Sequence, residues 1–138
     1  MRRVPRVAIL LTLLASGCAA AVGRPATPGP GAPKVWNLQF DPTTVRVGEA
    51  ATLRFEFEAP GANLSEIFLF VNRVGDWGFT AGLSPTRLLA REVSGLAVGE
   101  ITTPVRPRDV GIFFYEVFVV DEKGNQSNHL RNSLTVRP

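Results

Sequence analysis

The sequence predicts an all-β protein, an antiparallel sandwich of seven to eight short strands over residues 34–138. Three observations carry this. Residues 50–58 (AATLRFEFE) alternate apolar and polar, with Leu53, Phe55 and Phe57 on one face and Arg54, Glu56 and Glu58 on the other. That pattern marks a strand with one buried and one solvated face. The stretch Asp109–Asn125 (DVGIFFYEVFVVDEKGN) is the most apolar run beyond the N-terminus and closes on a Gly-Asn turn signal, as a central strand would. Turn-forming Gly, Pro, Asn and Asp recur between the apolar runs, and no segment makes a convincing helix.

Taken in order, Val35–Phe40 (VWNLQF) alternates with Trp36, Leu38 and Phe40 on one face, and Asp41-Pro42 turns it. Thr44–Val47 is a short strand ended by Gly48-Glu49, and Ala50–Glu58 follows. After the Pro60–Ser65 loop comes Glu66–Arg73 (EIFLFVNR). This run is apolar on both faces, with Ile67, Leu69 and Val71 on one and Phe68 and Phe70 on the other. Val74–Thr86 is Gly-rich, aperiodic and carries Trp77 and Phe79. Arg87–Val93 reads as a strand, although one or two turns of helix fit it too. Val98–Val105 is a strand whose Pro104 places it at an edge or an end. In the long apolar stretch, Phe113, Tyr115, Val117 and Val119 share the core face. Ile112, Phe114, Phe118 and Val120 share the other, interrupted by Glu116. His129–Val136 closes the sheet.

The N-terminus is a different kind of sequence. Arg2, Arg3 and Arg6 precede the apolar centre Val7–Leu14, and the small residues Ala15, Ser16 and Gly17 follow. These are the three parts of a secretory signal, with an apolar run too short to span a bilayer. The whole chain carries +3 net charge, but beyond residue 17 its 12 basic residues meet 12 acidic ones. The basicity therefore belongs to the leader, and a nucleic-acid partner is not expected. Residues 19–33 (AAAVGRPATPGPGAP) lack apolar periodicity and read as a tether able to reach about 30–45 Å. The expected organisation is a signal peptide over 1–17, an anchored Cys18 with tether over 18–33, and one domain over 34–138.

The segment LLASGC resembles the lipobox of bacterial lipoprotein precursors, with Ala15 where Leu is commoner. The resemblance implies diacylglyceryl attachment to the Cys18 sulfur, cleavage before Cys18 and acylation of the new amine, for example by palmitate. Several acyl chains suffice for stable membrane anchoring. Residue 19 is Ala and not Asp, which in two-membrane bacteria implies the outer membrane over the inner. Cys18 is the single cysteine, so with it lipidated no disulfide can staple the exported domain.

A second resemblance lies in DPTTVRVGEAATLRFEFEAPGANLSEIFLFV, in Asp109-x-Gly111-x-Phe113, and in the ending Tyr115, Val117, Val119, Asp121, Gly124, Asn125. Together they resemble bacterial immunoglobulin-like (Ig-like), PKD-like and fibronectin-III-like domains. Phe113 stands where such domains carry a corner Tyr, and Phe has no hydroxyl to bond back to the corner. The resemblance implies an Ig-like sandwich and says little of function.

Chemistry-bearing patterns are sparse, and no enzyme is expected. His129 is the only histidine, which excludes multi-His metal sites. It reads as a solvated loop residue; a triad would need Ser127 and Asp121 beside it. Glu56 and Glu58 read as solvated sheet surface, since a glycosidase dyad needs a cleft. No cofactor is expected beyond the lipid. Calcium enters only through Asp121 and Asn125, with Glu122, Asn128 and Asp76 nearby, and tight turns use the same residues.

The family's strand order makes Glu66–Arg73 and Gly111–Asp121 neighbours, aligning Phe68, Phe70, Phe114 and Phe118 on an outer face. Either Val74–Ser94, with Trp77, Phe79 and Leu83, folds back over that face, or a partner or second copy covers it. The expected function is a non-enzymatic envelope module binding an envelope protein or polysaccharide. The alternative is a carbohydrate-binding module using exposed, coplanar Trp36, Trp77 and Tyr115.

Overall fold

The computed structural model describes residues 28–73 and 86–138. Among these are eight strands and no helix: β1 (Lys34–Asp41), β2 (Thr44–Arg46), β3 (Ala51–Glu58), β4 (Leu64–Arg73), β5 (Thr86–Leu89), β6 (Val98–Val105), β7 (Gly111–Asp121) and β8 (Leu130–Arg137). They form an Ig-like sandwich of a three-stranded sheet, β1-β3-β6, and a five-stranded sheet, β2-β8-β7-β4-β5. Every pairing is antiparallel except that of β2 with β8, which is parallel. The first strand segment thus divides between the sheets. β1 pairs with β3, and beyond the cis Asp41–Pro42 peptide β2 crosses to β8.

Burial follows the alternation the sequence displays. Ala51, Leu53, Phe55 and Phe57 of β3 point inward, while Thr52, Arg54 and Glu58 are exposed. Opposite them lie Ile67 and Leu69 of β4, Tyr115, Val117 and Val119 of β7, and Leu134 and Val136 of β8. Phe113 sits at the margin of this core, partly buried. The Tyr115 ring packs on Phe40 with centroids 4.9 Å apart, joining the two sheets. β5 covers the first part of Arg87–Val93, and the chain then turns through residues 91–95. Pro104 lies on β6, an edge strand, as its missing N–H requires.

β1 departs from simple alternation. Val35, Leu38 and Phe40 are buried, and Trp36 is only half-buried. The expected Trp36–Leu38–Phe40 face is therefore wrong at its first member. A bulge between Trp36 and Gln39 puts an extra residue opposite β3, and Asn37 takes up the kink at φ 56°. One inserted residue shifts the inward phase by one.

The free edge of β1 is held by side chains from the other sheet's side. Asn128 accepts from the Val35 N–H at 2.9 Å and donates to the Val35 carbonyl at 2.8 Å. Asn132 donates to the Leu38 carbonyl at 2.7 Å. Two amides thus replace a missing strand neighbour, satisfying backbone groups that would otherwise lack partners.

Candidate functional site

Register across the five-stranded sheet sets out its outer face row by row. Phe68 of β4 lies opposite Phe118 of β7. In the next row Phe70, Glu116 and Arg131 of β8 are aligned, and in the next Asn72, Phe114 and Ser133. Alternate strand residues share a face, so these rows stack along one surface. The four expected aromatic residues are all on it, in two separate places.

Phe68, Phe70 and Phe118 form one cluster. Phe118 stacks on Phe68 with centroids 4.8 Å apart and on Phe70 at 5.9 Å. The far side of Phe118 is covered by His129, whose ring lies parallel to it at 4.3 Å and 8°. Phe118 is consequently only 7% exposed. His129 is thus no solvated loop residue; its side chain is 14% exposed. Read as the first residue of the closing strand, His129 shares a side with Arg131 and Ser133; what the sequence lacked was the register that sets this side beside Phe118. Of the expected cover, Val74–Ser94, residues 74–85 with Trp77, Phe79 and Leu83 lie outside the described residues, and the described part begins with β5, which extends the sheet beside β4.

Glu116 divides the cluster from Phe114. Its carboxylate meets His129 Nδ1 at 2.7 Å through Oε1, and Arg131 Nε donates to Oε2. Burial pushes the Glu116 carboxyl up, but hydrogen bonds from His129 and Arg131, with the Arg131 charge, outweigh it and hold the group below the usual glutamate range. The other His129 nitrogen, Nε2, is buried without a protein partner among the described residues.

Beyond Glu116 the surface opens. Phe114 is 44% exposed and Ile112, two residues earlier on the same face, is 45% exposed. Phe114 borders a shallow hollow of about 560 Å3 that Asn72, Glu116, Arg131 and Ser133 help to line. β7 starts at Gly111, at φ 144°, where a Cβ would meet Arg73 Nε at 3.1 Å.

The remaining sequence candidates are scattered. Tyr115 is 4% exposed and Trp36 half-buried, so an exposed, coplanar Trp36–Trp77–Tyr115 platform does not exist. Burial raises the Tyr115 phenol accordingly. Ser127 is buried, its hydroxyl accepting from the Val119 N–H and donating to the Asn128 carbonyl. It is committed to the backbone, while His129 bonds Glu116, so no Ser127–His129–Asp121 constellation is assembled.

Asp121 is the lock of the turn after β7. Its Oδ1 accepts from the N–H groups of Lys123 (2.9 Å) and Asn125 (2.8 Å), and its Oδ2 from the Asn125 amide (2.9 Å). Gly124 supplies the left-handed corner at φ 83°. The oxygens offered to calcium in the sequence reading thus face N–H donors. No grouping of three His, Cys, Asp or Glu able to hold a metal occurs among the described residues. Burial raises the Asp121 pKa, but the bonds from Asn125 and Lys123 outweigh it and leave it lowered.

Both acids therefore ionise more easily folded than unfolded. Their contribution is present above the unfolded values of about 3.9 and 4.3 and is lost as pH falls through the folded ones. Through these two groups, unfolding free energy should drop as pH falls below about 4. In urea melts across this range, Asp121→Asn with Glu116→Gln should give a shallower acid limb; an unchanged limb would show that neither group drives it.

No family model matches the chain, and neither does any curated protein. Among solved structures, an alkylpurine DNA glycosylase from Pseudomonas fluorescens, bound to DNA, matches at 18% identity and TM-score 0.47. The match covers 78% of this chain and only 31% of the glycosylase. A CARDB domain from Pyrococcus furiosus, in complex with two metal ions, matches at 13% identity and TM-score 0.46, covering 80% of this chain and 94% of that one. The PKD domain of an M14-like peptidase from a Thermoplasmatales archaeon matches at 14% identity and TM-score 0.44, covering 83% of this chain and 100% of that one. Likeness at this level says nothing of activity, and the Ig-like assignment rests on the strand order described above.

Proposed function

We propose that this protein is a non-enzymatic, lipid-anchored component of the bacterial cell envelope whose Ig-like domain is an interaction module. One observation carries the interaction reading. Phe114 and Ile112 are exposed on the outer face of β7, the middle strand of the five-stranded sheet. Isolated apolar residues on a surface are ordinary, but here two successive outward positions of one strand are exposed together, and Phe114 borders a hollow with a polar rim. The partner is an envelope protein or polysaccharide. The sequence supports the anchor: Cys18 follows Ala15, Ser16 and Gly17 directly, and the Pro-rich tether separates it from β1. Ala19 favours the outer membrane. The balanced charge beyond residue 17 gives nucleic acid no electrostatic footing.

Two experiments test this. Cells fed radioactive fatty acid should label the wild-type protein, and Cys18→Ser should lose the label and leave the membrane fraction. Equal labelling of the two would end the anchor reading. For the module, Phe114→Ser should lose the partner recovered by wild type from crosslinked envelopes, with a melting temperature within about 3 °C of wild type because the side chain is largely exposed. Full retention of the partner would remove Phe114 from the interface.

A further inference from the structure

We propose that the hollow beside Phe114 is a subsite for an uncharged sugar ring, so that the interaction face reads a neutral glycan. This rests on the five-stranded sheet's outer face being the binding face, and it adds the chemistry of the ligand.

The first ground is the arrangement of the rows. Phe114 has Asn72 as its cross-strand neighbour on β4 and Ser133 on β8. An aromatic ring is thus flanked by an amide and a hydroxyl, each able both to donate and to accept. One row along the strands, Glu116 and Arg131 add a carboxylate and a guanidinium to the rim. A pyranose has the matching character. Its C–H face is apolar and suits the electron-rich face of an aromatic ring, and its hydroxyls point out around the edge. The hollow, at about 560 Å3, falls within the usual range for small-ligand sites.

The second ground separates a sugar from a peptide. β7 is paired on both sides, with β4 and with β8. Its N–H and C=O groups at Phe114 are therefore spent in the ladders. An extended peptide laid here would find no main-chain partners of the kind that strand addition supplies at an edge. A polyhydroxylated ring needs only side-chain partners, and this surface offers only side chains.

The third ground is charge. Glu116 and Arg131 bond each other and neutralise each other, and among the described residues no other carboxylate, Lys or Arg lines the hollow. A ligand with a formal charge would find no counter-charge that is not already used. The Glu116–Arg131 bond instead runs through Nε, which leaves the guanidinium's terminal N–H groups to donate to hydroxyl oxygens of the ligand.

The test is a 15N NMR titration of the full chain in detergent with three soluble tetrasaccharides: the β-1,4 tetramers of glucose and of N-acetylglucosamine, both neutral, and an alginate tetramer, which is anionic. At least one neutral tetramer should give saturable shifts at Asn72, Phe114, Arg131 and Ser133, with a Kd on the order of 1 mM or tighter. Raising the salt should change that Kd less than twofold, because no net charge is paired. Phe114→Ala should weaken binding at least tenfold while its spectrum stays folded. Absence of saturable shifts with both neutral tetramers overturns the proposal, and so does binding that survives in Phe114→Ala. Binding of the alginate tetramer alone, abolished by salt, also overturns it. If no tetramer binds but Phe114→Ser still loses a protein partner from envelopes, the sugar subsite falls and the interaction face stands.

Discussion

Phe57→Ala should lower the unfolding free energy by about 3–5 kcal/mol, the cost of deleting a fully enclosed aromatic side chain and leaving a cavity. The position makes this severe. Phe57 lies on β3, the middle strand of the three-stranded sheet, and is wholly inaccessible. Gly99 on the neighbouring strand β6 gives it room, since a Cβ there would come within 2.9 Å of the Phe57 ring. The domain has no cysteine and hence no disulfide to offset the loss. A domain of this size holds only about 5–15 kcal/mol in total. The melting temperature should fall by at least about 12 °C. Thermal and urea melts would measure this, and a loss under about 1 kcal/mol would mean the core does not close around Phe57 as described.

Asn128→Ala should cost about 2–3 kcal/mol, more than its half-buried position suggests. The substitution removes both hydrogen bonds that the amide makes to Val35 and leaves that residue's N–H and C=O without partners on the free edge of β1. The loss should be local as well as global. Amide exchange at Val35 should accelerate far more than exchange in β3. Asn128→Asp should be no better, because it keeps an acceptor for the N–H but sets a carboxylate against the Val35 carbonyl. A change under about 0.5 kcal/mol with unaltered exchange at Val35 would show that β1 is held by its pairing with β3 alone.

Some of this was legible in the chain. The inward face of β3 could be read directly, because a period of two with bulky apolar residues has one solution. The two apolar faces of β4 and β7 were equally plain, and they announced that one sheet has an outer face of unusual composition. Asp121, Gly124 and Asn125 declared a tight turn. Other features could not be read. The inward phase of β1 depends on a bulge at Asn37, which displaces Trp36 while leaving Leu38 and Phe40 inside. The pairing of β2 with β8 is parallel and spans most of the domain, so no local pattern encodes it. His129 read as a solvated residue because nothing local says that its side of the closing strand lies beside Phe118, yet it is the residue that covers that ring.

The sequence by itself determined the class of fold, the central strands and the surplus of aromatic side chains, because alternation and turn chemistry are local and act through the nearest few residues. Only the tertiary structure decided how that surplus is used. Register between β4, β7 and β8 brings Phe68, Phe70 and Phe118 together, puts His129 on their far side, and lets Glu116 separate them from Phe114. Cross-strand neighbours are set by pairings tens of residues apart, and burial of an outward side chain depends on what those pairings place beside it. That is why Phe118 and Phe114, equivalent in the sequence, end as a covered ring and an exposed one.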